Sequence, residues 1–383
     1  MMTSGWYASN KAGTTHISAA LTRKGKRHRW LPVYVVVLLL LSGQLEARSD
    51  RLYALNLKSN DITVVDLASD TVVGTIPTGK FPHWMAIGVG GRIGYVANHK
   101  TDDITVIDLI SMQLLHRVPT GKKPHRVLFS PDGDIAYVSN INSDTVSVID
   151  ATNHQVVIDI PVGEKPDDLV ISPDGRLLFV TNFGSDSVSI IDTESRSVVQ
   201  NIETGKGPHW LVGVWPFVYA GHEGSQGVTV IDSRTLKRVV NLPSGEAPHY
   251  LSTTADQSLV FAANRKSHDV AVYNTQRHEL VALVKVGKNP DEVVEVPGRK
   301  ILYVSNMGSN SISVVDLDKL KEIRQIPVGK RPHSVTFSRD ARKAYVSNMG
   351  SNSISVIDTN THEVLKTIAV GKTPFHLIVS WEQ

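Results

Sequence analysis

The stretch Tyr-Val-Ser-Asn-Met-Gly-Ser-Asn-Ser-Ile-Ser-Val at residues 303–314 returns letter for letter at residues 345–356. Weaker copies lie upstream, and the interval separating them is the first clue to the fold. Three markers keep phase along the chain. The turn Gly-[Lys/Glu]-x-Pro begins at Gly79, Gly121, Gly163, Gly205, Gly245, Gly287, Gly329 and Gly371, with spacings of 42 residues except one of 40. The acid ending a Val-Ile-Asp run, and the Asn ending Tyr-Val-Ser-Asn, recur eight times at the same spacings, with Asn274 and His222 as the two departures. A period near 40 marks a structural repeat, and three markers in step leave little room for chance.

Each unit reads as four short strands. In the seventh these are Pro-His-Ser-Val-Thr-Phe-Ser (332–338), Ala-Tyr-Val-Ser-Asn, Ser-Ile-Ser-Val-Ile-Asp, and a run ending before Gly371. Val, Ile, Thr and Tyr dominate, as strands require, and no stretch shows a sustained helical period. Four strands per unit of about 40 residues describe a β-propeller blade. The first three strands, near residues 51–77, lack an inner partner, and the last, residues 374–380, stands alone. Pairing them closes the ring and leaves no open sheet edge between the ends. The sequence therefore predicts an all-β, eight-bladed propeller of four-stranded blades, closed by its C-terminal strand, over residues 48–383.

These strings, together with Ser-Pro-Asp-Gly at 130–133 and 172–175, resemble the YVTN-repeat propellers, which include surface-layer and YncE-like exported proteins. The likeness covers residues 51–380 and departs at His222, Asn274 and the shortened unit at 205–244. The eight-bladed count is also similar in architecture to the haem d1 domain of cytochrome cd1 nitrite reductases. The resemblance implies a periplasmic or surface binding role and specifies no single activity.

Residues 1–47 read as a secretory signal. The basic cluster Arg23-Lys24-Gly25-Lys26-Arg27-His28-Arg29 precedes an apolar run from Trp30 to Leu41, with Ala47 as the expected cleavage point. The run is shorter than the roughly 20 residues that span a membrane, so no mature span is expected; an uncleaved anchor is the other reading. The basic balance belongs to this segment. The whole chain carries 40 Lys/Arg against 37 Asp/Glu, whereas residues 48–383 carry 34 against 36. A net charge of −2 offers no nucleic-acid signal. The chain has no cysteine, which excludes disulfides, thiolate metal sites and thiol nucleophiles. No nucleophile elbow, His-Glu-x-x-His helix or phosphate loop is present.

Strand direction places the Gly-Lys-x-Pro turns and the loops after each Asn on one face. The residue after each proline opens an inner strand and should look into the channel: His83, His125, Asp167, His209, His249, Asp291, His333 and Phe375, with His376 one place late. With blades four apart facing each other, His125 opposes Asp291, Asp167 opposes His333 and His83 opposes His249. Imidazoles and carboxylates at one mouth suit a transition metal or the axial ligation of a haem. Copying of a duplicated unit explains them equally, without any ligand. His209, His222 and His249 on adjacent blades form the compact subset expected to bind one ion. Trp84, Trp210 and Tyr250 follow three of the ring histidines; they could line a pocket with aromatic faces, although strand alternation favours the core between blades. The expected protein is an exported, monomeric binding or scaffold propeller whose ligand, a small molecule, metal or protein, sits at the histidine-bearing mouth. The alternative is a haem d1-type or metal-dependent enzyme or accessory protein.

Overall fold

The computed structural model describes residues 50–381; the expected signal segment and its cleavage point lie outside them. Within that range the chain forms 32 strands in eight antiparallel sheets of four. Seven blades are continuous in sequence, beginning at Pro82, Pro124, Pro166, Pro208, Pro248, Pro290 and Pro332. They are numbered 1 to 7 here. The eighth combines Pro374–Ser380 with Arg51–Asn56, Asp61–Asp66 and Thr71–Pro77. Its closing register pairs Leu52 with Val379, Tyr53 with Ile378 and Ala54 with Leu377. The predicted closure is present.

Blades stack face to face, so their middle strands are buried on both faces and their outer strands are not. Tyr345 and Val346 are fully buried, whereas the outer-strand Leu365 is 55% exposed. Each of eight apolar clusters joins two neighbouring blades; one combines Tyr219, Val228 and Val230 with Leu251, Val260 and Ala262. Among the described residues no helix is long and apolar enough to cross a membrane.

The repeated letters have local physical reasons. The acid closing each third strand accepts backbone N–H bonds from the turn after it: Asp108 from Ile110 and Ser111, both at 2.9 Å. Asn274 does the same through its Oδ1, from Gln276 and Arg277, so the exception keeps the function of the rule. The Asn closing each second strand donates across the blade; Asn98 Nδ2 reaches Asp103 Oδ1 at 2.8 Å and Thr105 Oγ1 at 2.9 Å. It lies against the turn glycine so closely that a Cβ on Gly121 would sit 2.7 Å from Asn140. Gly121→Ala is accordingly expected to destabilise the propeller by about 1–3 kcal/mol through overpacking. An unchanged urea midpoint for that variant would refute this account of the motif.

Candidate functional site

The inner strands begin at proline, whose fixed φ and missing donor suit a strand's first residue. Just inside it, the register with the second strand shifts in every blade. In blade 1 Pro82 pairs with Asn98 and Trp84 with Ala97; in blade 3 Pro166 pairs with Asn182 and Leu169 next with Val180. This bulge breaks the strict alternation of a strand, so two successive side chains from each blade reach the channel.

The upper tier is the row read from the sequence, and it is a continuous belt. Going round, His83 meets His125 (ring centroids 4.2 Å apart) and His125 Nδ1 lies 2.8 Å from Asp167 Oδ1. Asp167 Oδ2 lies 3.5 Å from His209 Nε2, and His209 packs on His249 at 4.1 Å. His249 Nε2 is 3.6 Å from Asp291 Oδ1, and His333 Nε2 is 2.9 Å from Asp291 Oδ2. Phe375 closes the belt against His333 at 3.9 Å and His83 at 4.4 Å. The ion pairs run between neighbouring blades. Belt residues on opposite blades do not meet across the channel; contact runs round the ring, because these side chains lie along the wall.

The lower tier departs from strict strand alternation. Trp84, Trp210 and Tyr250 line the channel, while each also packs against an apolar cluster between blades. Trp84 stacks on His376 at 3.8 Å and meets Trp210, three blades away, at 5.6 Å; Trp210 packs on Tyr250 at 4.2 Å. The Arg126 guanidinium lies over Trp84 at 3.7 Å and over Trp210 at 4.8 Å, with its Nε 3.1 Å from Asp168 Oδ1. Aromatic faces and a cation therefore meet at the axis. The bulge is the cause, and it also brings both members of Asp167-Asp168 and of Asp291-Glu292 to the channel. The cavity left between the tiers is only about 140 Å³.

His222 does not join His209 and His249. It is 2% exposed, and its Nε2 lies 2.7 Å from Thr229 Oγ1 and 3.3 Å from the Gly205 amide, inside blade 4. It stands in for the blade's Asn, a packing role. Glu223, the next residue, completes a compact set with His209 and His249, and His99 completes a second with His83 and His125; in each set the possible ligand atoms lie within 4.8 Å of one another. Both added residues occupy one repeat position, the first after the second strand: Leu57, His99, Ile141, Phe183, Glu223, Arg265, Met307 and Met349. Aligning the units at that position is the signal that finds them.

Burial sets the charges. It holds His83 far below the usual imidazole value, with His125 and His99 adding to the effect. It takes His99 down to about 2, with His125 and Lys123 adding to it, and His249 to about 4, with His209 adding to it. Burial pushes the Asp167 carboxyl up, but His125 and His209 outweigh it and hold the group below the carboxylate range. For Asp291 burial is likewise overcome, by His333 and the Arg265 guanidinium paired with it. For Glu292 burial wins and raises it to about 7, against the lowering effect of His333 and of the Val335 amide. Burial also raises Asp168 against the pull of Arg126. The channel sets Asp167, Asp168, Glu223 and Asp291 against Arg126 and Arg265, with Lys123 and Lys165 at the mouth. Above the belt a mouth pocket of about 570 Å³ is lined by His83, His99, His125, Asp167, His209 and Glu223, among others.

Solved structures share this architecture. The dihydro-haem d1 dehydrogenase NirN in complex with DHE superposes with a TM-score of 0.77 at 16% identity, over 89% of this chain and 78% of its own. Apo AztD from Citrobacter koseri superposes at 0.67 and 16%, over 86% and 97%. Hydrazine synthase of Kuenenia stuttgartiensis superposes at 0.59 and 23%, over 73% and 95%. At such identities the likeness concerns the fold alone. No curated protein matches the chain. The family model described as YNCE-like beta-propeller matches residues 132–222 and 294–381, two stretches that carry the repeat motif and are similar to that family, as the motif led us to expect.

Proposed function

We propose that the chain is an exported, non-catalytic propeller that binds a transition-metal ion at the mouth of its channel, through His83, His99 and His125. One observation carries the reading: His83 Nδ1 and His99 Nε2 are buried without a hydrogen-bond partner, on rings stacked 4.0 Å apart beside His125. A buried polar atom normally finds a partner, and an unbonded pair in one cluster is a standing cost that a ligand removes. Burial keeps His83 and His99 neutral at physiological pH, the form that donates to a metal. Asp167 beside His125 is the carboxylate that orients a ligating imidazole. Three imidazoles suit zinc or copper. The set His209, Glu223 and His249 is the second place for such an ion.

A haem is the less favoured occupant. The cavity below the belt is smaller than the roughly 300–1,000 Å³ of ordinary small-molecule pockets, which leaves a tetrapyrrole only the outer mouth. Export rests on the basic and apolar order of residues 23–41; mature protein is expected to begin near Arg48 on N-terminal sequencing, and an intact Met1 would support the anchor.

The metal reading is tested by titrating chelator-treated protein with Zn²⁺ and Cu²⁺ by calorimetry. Saturable binding of one of them is expected at pH 7.5. His99→Ala should weaken it by about a hundredfold, at the upper end of what loss of a metal-site group costs. His222→Asn should leave it intact, since Asn is the residue that other blades use there. Absence of binding by either ion would leave the belt as an inherited feature of the repeat.

A further inference from the structure

A second pocket on the same face has no part in the metal site. It is an open groove of about 480 Å³ between blades 7 and 8, lined by Lys58, Arg331 and Lys372 over Leu57, Phe81 and Met349, and by no carboxylate. Its size falls within the range of small-molecule sites. None of the three cationic side chains enters an ion pair among the described residues. Like charges gathered around one depression repel one another, and an anion placed among them removes that repulsion. The floor is apolar, so a bare inorganic anion would leave half of the groove unused.

The groove is preorganised. Its loops are joined by backbone bonds, Leu57 N–H to the Thr373 carbonyl, Lys58 N–H to that of Lys372 and Met349 N–H to that of Arg331, all at 3.0 Å. Phe81 is held in a left-handed conformation, φ 61°, with its N–H donated to Asn60 Oδ1 at 2.9 Å. One face of the Phe81 ring stacks on His99, with centroids 5.7 Å apart, and the Lys100 ammonium lies 4.8 Å from its centroid. Phe81 therefore forms the partition between the groove and the imidazoles, and Lys100 adds a further positive charge at its edge. A site whose backbone is already fixed gives up little freedom on binding.

We propose that this groove binds a small amphiphilic organic anion, its carboxylates among Lys58, Arg331 and Lys372 and its apolar body on Leu57, Phe81 and Met349. The site does not need the metal, and it is tested on chelator-treated protein. The probe is suberate, a dicarboxylate with a methylene chain; suberamide, its uncharged counterpart, and inorganic phosphate at equal ionic strength are the controls. Calorimetry is expected to show saturable binding of suberate, at least about tenfold tighter than either control. The double variant Lys58→Glu/Lys372→Glu should lose at least about tenfold in affinity, and raised salt should weaken the wild-type complex as it screens the charges. If that variant does not fold, Arg331→Gln, a change of one exposed side chain, should still weaken binding several-fold. Suberate should bind alike before and after chelator treatment, which separates this proposal from the metal reading. No saturable binding of suberate, equal binding of suberamide, or equal binding by the folded variants overturns the proposal. Equal binding of phosphate overturns it too, since the apolar floor would then contribute nothing.

Discussion

Removing residues 374–383 is expected to destabilise the entire ring and not merely to fray one end. Pro374–Ser380 is the inner strand of blade 8, and it pairs in register with Arg51–Asn56. Without it, the backbone groups of the first strand lose their partners, and blades 7 and 1 lose the wall between them. Leu377, only 4% exposed, sits in the apolar cluster with Leu52, Ala54, Tyr345 and Val356, and Phe375 leaves the belt open between His333 and His83. A closed propeller has no free end from which such damage can be confined, unlike an open repeat array, whose terminal units fray alone. The deletion should lower the melting temperature by about 10 °C or more, or prevent folding altogether. The milder Leu377→Ala should cost about 2–5 kcal/mol as a cavity in that cluster. A deletion variant that melts like the full chain, or loses only the signals of blade 8 in hydrogen exchange, would refute the closure argument.

The second large effect is acid lability. His83, His99, His222, His249 and His376 are all held below the usual imidazole value by burial, His222 and His249 to about 4 and His99 to about 2. Around them stand Arg126, Arg265, Asp167, Asp291, Glu223 and the other ring histidines. As pH falls below about 6.5 the unfolded chain protonates these five positions while the folded chain does not. The unfolded state then binds more protons, so stability falls with pH, by about 1.4 kcal/mol per pH unit for each histidine. Glu292, raised to about 7, acts the other way: the folded chain takes up its proton first and gains stability between that value and the ordinary carboxylate range. Burial also lowers His154, His278 and His362 and raises Asp168 and Glu295; the histidines outnumber the carboxyls, and the net loss is on the order of 5 kcal/mol between pH 7 and pH 5. The depressed carboxyls of Asp167, Glu223 and Asp291 add their loss only below about pH 4.5. Urea denaturation of metal-free protein across that range measures the slope, and His222→Asn should reduce it by one proton's worth. A flat stability profile from pH 7 to pH 5 would show that the buried histidines protonate without difficulty.

The fold was legible because a propeller blade is a local object repeated. Antiparallel neighbours joined by short turns carry their pattern in consecutive letters, and the eight turn glycines count the blades without any long-range information. Closure was legible as well, since three strands at one end and one at the other add up to a missing blade. The asparagine that packs on each turn glycine could be read as a marker, but its reason, a gap too narrow for a Cβ, appears only in three dimensions.

The site was legible to the depth of one position. That the residue after each proline faces the channel follows from symmetry: one strand position, copied round a ring, takes one radial direction. The next residue escaped because alternation predicts the opposite face for Trp84, Trp210 and Tyr250, whereas a register shift at the head of each inner strand turns both side chains inward. His99 and Glu223 escaped because they belong to a different loop, one that comes over the channel only when the blades are wrapped into a ring. His222 shows the converse. It has the right residue type on the right face, yet it points into its own blade to take over the bonds of the missing asparagine. The sequence alone thus determined the number of blades, their closure and the belt of His83, His125, Asp167, His209, His249, Asp291, His333 and Phe375, because these depend on periodicity. Only the tertiary structure decided which of these side chains meet, and which residues from other loops join them, because that depends on a bulge and on the curvature of the ring, neither of which leaves a periodic trace.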